Sequence, residues 1–167
     1  MMWDIGSRTR WFATAIRDRR PDAVAVLRGD AAHAGLHGKV SFYDAPGGTL
    51  VVAEVSGLPA DSDVCGGHVF GFHIHDGKAC TGTKEDPFAG AGVHFNPGDC
   101  PHPQHAGDMP PLFGNRGYAW SAFFTDRFQL DEILGRAVIV HSAPDDFTTQ
   151  PSGNAGSKIG CGIIKRK

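Results

Sequence analysis

Residues 76–117 carry glycine or proline at short intervals and almost no hydrophobic periodicity, yet the chain on either side reads as β-strand. Irregular stretches this long are uncommon inside a compact domain and are usually functional. Order in such a loop has to come from something other than apolar patterning. The residue types in and beside it supply a candidate, because His73, His75, His94, His102, His105 and Asp108 all fall within 36 residues. Metal ligation would tie down a loop that cannot tie itself down.

The flanking pattern argues for an all-β domain. Short apolar or alternating runs at Ala23–Leu27, Leu36–Tyr43, Thr49–Val55, His68–His75, Tyr118–Thr125, Arg136–His141 and Cys161–Ile164 are separated by turn clusters such as Ala45-Pro46-Gly47-Gly48 and Gly66-Gly67. Glycine, at 23 of 167 residues, is about twice its usual ~7%. Phe128–Leu134 fits one helical turn or a bent strand, and Ser142–Gly160 is a second irregular stretch. Seven or eight strands without a strong helix predict a β-sandwich or barrel. The length suits one domain. A net charge of −2 implies neither nucleic acid nor an anionic membrane as partner, and no run of ~20 apolar residues predicts a membrane span.

Residues 1–21 read as a basic N-terminal extension to a domain at 22–167. Arg8, Arg10, Arg17, Arg19 and Arg20 are interleaved with Trp3, Trp11, Phe12 and Ile16, and Trp11, Phe12, Ala15 and Ile16 could share one helical face. A short helix packed on the domain edge is the plainer expectation; a targeting or membrane-touching role is the sharper one.

The histidine spacing carries the chemistry. In His73-Ile74-His75 on a strand, both imidazoles project from one face, because side chains repeat every two residues there. Two such imidazoles with two more from elsewhere suit copper, and three imidazoles with a carboxylate suit tetrahedral zinc. His94 stands between the two groups, and His141, in Val138-Ile139-Val140-His141, completes the set. His33, His37 and His68 are expected to be surface or hydrogen-bonding side chains.

Over residues 22–167 the chain resembles the copper/zinc superoxide dismutase family. The matching pieces are Ala23-Val24-Ala25-Val26-Leu27-Arg28-Gly29-Asp30, Gly71-Phe72-His73-Ile74-His75, His94-Phe95-Asn96-Pro97, His105-Ala106-Gly107-Asp108, Val140-His141, Asp145-Asp146 and Gly153-Asn154-Ala155-Gly156-Ser157-Lys158-Ile159-Gly160-Cys161-Gly162. The resemblance implies a Greek-key β-sandwich or barrel of about eight antiparallel strands with two long functional loops. It implies His73, His75, His94 and His141 as copper ligands, His94, His102, His105 and Asp108 as zinc ligands, and His94 as the bridge. The implied reaction is dismutation of superoxide to dioxygen and hydrogen peroxide, with a redox-cycling copper, a redox-inert zinc and a proton carried by His94. Only two residues separate His102 from His105, so the zinc loop is shorter than the family's usual one.

The same resemblance assigns Asp145 as the hydrogen-bond acceptor for one copper and one zinc ligand, leaving Asp146 as a turn carboxylate, and it pairs Cys80 with Cys161 in a disulfide. Closing a loop of that size is worth roughly 4 kcal/mol in the chain-entropy model. Cys65 and Cys100 have no assigned counterpart; a free thiol or a second disulfide is expected for both. Lys158 stands where the family places an arginine beside copper. It keeps the charge but not the planar fork, and with few charges in 142–160, steering of superoxide rests on it. A copper-storage or copper-delivery domain and a purely structural zinc domain are the competing readings, since fold does not fix function. Relatives are dimers or monomers, so a homodimer is left open, with Phe113 or Trp120 as the candidate patch. The N-terminus lacks the apolar core of a secretory signal, which points to the cytoplasm, whereas many bacterial relatives are exported.

Overall fold

The computed structural model describes residues 5–60 and 68–167; Trp3, Cys65 and the Gly66-Gly67 turn lie outside them. A helix, α1 (Ile5–Asp18), precedes three strands, β1 (Ala23–Gly29), β2 (His37–Ala45) and β3 (Gly48–Ser56). After them come β4 (Val69–Phe70), β5 (Phe72–His75), β6 (Leu112–Phe113), β7 (Tyr118–Thr125), a short helix α2 (Leu130–Ile133), β8 (Ala137–His141) and β9 (Lys158–Arg166). The main sheet has the order β5-β8-β9-β1-β2-β3-β7 with every pairing antiparallel, and β4–β6 form a separate two-stranded ladder. The result is the expected all-β barrel-like sandwich.

Alternation decides which way each strand faces. Ala23, Ala25 and Leu27 of β1, Val40 and Phe42 of β2, and Val51, Ala53 and Val55 of β3 enter one buried core at the two-residue period of a strand. Phe72 and Ile74 of β5 join it with Val138 and Val140 of β8. Each fully buried side chain of this size contributes about 1.5–3 kcal/mol. The β2–β3 hairpin turns at Pro46-Gly47, between the paired Ala45 and Gly48. Proline presets its own φ there, and Gly47 takes the positive φ of 86° that such a turn needs.

On the opposite face of β3, Leu50 and Val52 would be bare without α1. Ala15 packs there with Tyr43 and Leu50, joined by Trp11, Phe12 and Ile16, and Phe12 stacks on Phe124 of β7 at 5.5 Å. The apolar stripe readable in the sequence is thus the stripe that meets the sheet. The ambiguous 128–134 segment resolves as a helical turn. Gln129 and Glu132 form a reciprocal cap at its N-terminus, with the Gln129 amide donating to Glu132 Oε2 at 2.7 Å.

Strand β9 runs further than the Cys161–Ile164 signal. Glycines at 160 and 162 hide its alternation, and both are needed for close approach. A Cβ at Gly160 would sit 2.8 Å from Leu36 Cδ2, and one at Gly162 would sit 2.6 Å from the Val26 carbonyl. The predicted strand 68–75 is divided at Gly71, whose amide leaves the ladder to donate to the Ala143 carbonyl at 2.8 Å.

Candidate metal centre

Because Phe72 and Ile74 of β5 point into the core, His73 and His75 point to the outer side of the sheet. Pairing of β5 with β8 places them beside Ile139 and Ala137, and since Val138 and Val140 face the core, the same alternation brings His141 to that outer side. The long loop then runs back along β5, giving bridges His73↔Asp108 and His75↔His94. Main-chain bonds pin it there, with Phe95 N–H donating to Ile74 O and Ile74 N–H donating to Gly107 O, both at 2.8 Å. This roof buries what would otherwise be an exposed face. His73, His75, His94, His102, His105, Asp108, His141 and Asp145 are all buried.

Two clusters result, His73, His75, His94 and His141, and His94, His102, His105 and Asp108, with His94 in both. In most of the rings one nitrogen is already engaged. His73 Nε2 donates to Asp145 Oδ2 at 2.7 Å, His75 Nδ1 to Gly92 O at 2.8 Å, His141 Nδ1 to Gly156 O at 3.2 Å, and His102 Nε2 to Asp145 Oδ1 at 2.8 Å. The other nitrogen of each ring faces a cluster centre. His75 Nε2 and His141 Nε2 lie 3.2 Å apart, and His105 Nδ1 lies 3.3 Å from His94 Nδ1.

Among the described residues, His73 Nδ1, His94 Nε2 and His102 Nδ1 are buried with no hydrogen-bond partner. Orphaned buried polar atoms cost about 1–3 kcal/mol each, and three in one place are explained if they are ligand atoms. The spacings agree. A tetrahedron with ~2.0 Å metal–ligand bonds has edges of about 3.3 Å. Asp108 Oδ2 stands 3.0 Å from His102 Nδ1 and 3.3 Å from His105 Nδ1, and Asp108 Oδ1 stands 2.8 Å from His94 Nδ1. The residues present fit zinc in one cluster and a four-imidazole copper site in the other.

Electrostatics point the same way. Burial pushes the imidazoles of His73 and His75 below their ordinary range, His75 strongly, and brings His141 down to about 3. For Asp108, burial acts upward, but the hydrogen bond to His94 and the surrounding imidazoles outweigh it and hold the carboxyl low. Asp145 is likewise depressed against its burial, by the His73 hydrogen bond, the Phe147 amide and His102. Neutral imidazoles grouped with ionised carboxylates make a centre suited to cations.

Gly153 makes room for this arrangement. Its φ is +67°, and a Cβ there would lie 2.0 Å from Asp145 Oδ1 and 2.6 Å from His102 Nε2. Asp146 faces away and accepts hydrogen bonds from the amides and hydroxyls of Thr148 and Thr149, as a turn carboxylate does. Cys80 and Cys161 are disulfide-bonded, tying the loop to β9. Cys100 is a free thiol near Gly98 O. His33 bonds to Asp30, and His37 to Gly35 O.

A cavity of about 550 Å³ opens onto the first cluster, lined by His75, His94, His141, Val93, Asp86 and Lys158. Lys158 is only 16% exposed at its side chain and forms an ion pair with Asp86. Asp86 sits 72 residues away in sequence and gives no local signal of this partnership. Sequence reasoning missed it.

A curled antiparallel sheet carrying two ligand clusters joined by a shared imidazole defines a dinuclear metalloprotein of the β-sandwich class. The model of the copper/zinc superoxide dismutase family matches residues 36–164, and the chain belongs to that family. It is 36% identical over 146 residues to a Superoxide dismutase [Cu-Zn] of Deinococcus radiodurans, covering 77% of this chain and 76% of the relative. It is 36% identical over 159 residues to Superoxide dismutase [Cu-Zn] 3 of Arabidopsis thaliana, covering 85% and 88%. The solved Cu/Zn superoxide dismutase from Brucella abortus superposes with a TM-score of 0.71 at 26% identity, covering 86% of this chain and 99% of that one.

Proposed function

We propose that this protein dismutates superoxide to dioxygen and hydrogen peroxide, with copper held by His73, His75, His94 and His141 and zinc by His94, His102, His105 and Asp108. The single observation that carries the assignment is His94, which belongs to both clusters and has a buried, unpartnered Nε2. When bound, copper supplies a one-electron couple and zinc a fixed positive charge.

The chain's own residues do the rest. Lys158, though its charge is partly offset by Asp86, is the cation lining the cavity and the group that meets an anionic substrate there. In this reading His94 Nε2, on the side of the ring away from Asp108, is the atom that holds and delivers one proton, while Nδ1 stays with the Asp108 side. Two superoxide anions and two protons give one dioxygen and one hydrogen peroxide, so a second proton comes from water. Asp145 fixes the Nε2–H tautomers of His73 and His102, leaving Nδ1 of each ring for a ligand role. A copper-delivery role is disfavoured by the intact four-imidazole set and the retained Asp145.

Residues 22–167 form the catalytic unit in this reading, with 1–21 as its appendage. Exposed Phe113 (65%) or exposed Trp120 (53%) is the candidate patch for a homodimer, which sedimentation of Phe113→Glu and of Trp120→Glu against wild type tests. The central experiment measures metal content and superoxide decay for the apoprotein and for protein loaded with copper alone, zinc alone and both. Activity is expected only with copper, and to be largely lost in His94→Ala. Full activity and both metals retained in His94→Ala would sink the scheme.

A further inference from the structure

The segment carrying three of the zinc-cluster residues is compact and largely proline-bounded, with His102, His105 and Asp108 three residues apart and Pro101 and Pro103 flanking the first. Proline offers no amide hydrogen for self-bracing. Within the segment Gln104 N–H donates to Pro101 O at 2.8 Å, Asp108 N–H to His105 O at 3.2 Å and His105 N–H to Asp108 Oδ2 at 3.1 Å, and further main-chain groups go to two side chains from outside it. Gln150, in the second irregular stretch, takes both groups of His102: its Oε1 accepts from His102 N–H at 2.9 Å and its Nε2 donates to His102 O at 2.7 Å. Arg127, in the connection between β7 and α2, directs one guanidinium nitrogen at three carbonyls, Pro103 O at 2.9 Å, and His105 O and Asp108 O at 3.4 Å.

His102 is therefore held at both its peptide groups by Gln150, while Arg127 bonds Pro103 O closely and shares its second hydrogen between the carbonyls of His105 and Asp108. The Arg127 arm is itself anchored. Its amide donates to Thr125 Oγ1 at 3.2 Å, and the next residue, Phe128, is buried in the core with its carbonyl accepting from Thr49 Oγ1. Hydrogen bonds to a charged donor are worth roughly twice neutral ones, and three carbonyls converging on one cation form a preorganised bracket.

We propose that Arg127 and Gln150 are positioning residues for the zinc site, bracing the shortened loop so that His102, His105 and Asp108 are set at ligating distance before the ion arrives. The proposal rests on the zinc reading of that cluster. Groups that orient metal ligands typically govern metal affinity by about 10–100-fold, so the two should control how firmly zinc is kept.

The test uses the full chain as wild type, Arg127→Met, Gln150→Met and the conservative Arg127→Lys. Three things are measured: release of zinc to excess chelator, the visible spectrum of cobalt(II) substituted for zinc, and thermal midpoints with and without zinc. The expected result is zinc release at least about tenfold faster in both methionine variants, with an altered cobalt spectrum and substantial recovery in Arg127→Lys. The apoprotein midpoint and the copper(II) spectrum should stay at wild-type values. Wild-type release rates in both methionine variants would overturn the proposal. So would an apoprotein midpoint that falls as far as that of the zinc-loaded form, which would make the brackets merely structural. A wild-type chain that takes up no zinc would instead refute the zinc reading, and is told apart by that measurement alone.

Discussion

Replacing Asp145 by asparagine removes a charge while keeping the side chain's shape, and the geometry dictates which metal is weakened more. The carboxylate accepts three hydrogen bonds, from His73 Nε2, His102 Nε2 and the Phe147 amide, at 2.7–2.8 Å. Asparagine has one oxygen, so its NH₂ must face the donors on one side. Oδ1 accepts from both His102 Nε2 and the Phe147 amide, whereas Oδ2 accepts from His73 Nε2 alone. The oxygen therefore stays with His102 and Phe147, and His73 loses a hydrogen bond to a charged group, worth about 1.5–3 kcal/mol, or roughly a 10-fold to 150-fold loss in copper affinity. Zinc, whose ligand His102 keeps its acceptor, should lose less. Competition titration of the apoprotein against chelators, run separately for zinc and copper(II), measures both. An unchanged copper affinity, or a zinc affinity that drops more than that of copper, would refute the reasoning.

Three further outcomes are expected. Lys158→Arg should raise kcat/KM for superoxide a few-fold, about 0.5–1 kcal/mol of added anion contact, because a guanidinium can bond Asp86 and an anion together; a lower rate contradicts this. Apoprotein stability should fall on acidification. The folded state keeps His141 neutral down to about 3, while an unfolded histidine binds its proton near pH 6.5, so the unfolded state takes up more protons between those values. Stability then drops by about 1.4 kcal/mol per pH unit per such histidine across that window. The depressed Asp145 adds to the loss as pH falls below the ordinary carboxylate range, and urea titrations at stepped pH check the slope. Reducing the Cys80–Cys161 disulfide should cost the fold roughly 4 kcal/mol by the chain-entropy model, read as a lower urea midpoint in the metal-free protein.

The parts of this site that were legible in the sequence are those that obey a period. His73 and His75 are two apart on a strand, and β1, β2, β3 and β7 stand out as short apolar or β-forming runs between turn clusters, so both the ligands and the barrel could be read. The hidden parts lack a period. Strand β6 has only two residues, too few to alternate. Glycines 160 and 162 erase half the pattern of β9 because the Leu36 side chain and the Val26 carbonyl lie too close for a side chain at those positions. The Asp86–Lys158 pair joins a loop to the start of β9 from far away in sequence, and Arg127 and Gln150 bond to peptide groups, which leave no mark on residue choice at the other end. His102 was legible by its chemistry, whereas the way so short a loop brings it to Asp108 needed three dimensions.

The strand Phe72–His75 shows how tightly fold and chemistry check one another. Its residues alternate between hydrocarbon and imidazole, each side matched to a different environment. A slip of one position against β8 would drive two imidazoles into oil and present a phenyl ring and an isoleucine to the ions. Misregistered pairing is thus penalised on both surfaces at once, and a chain that has gathered its ligands has, by the same act, proofread its core.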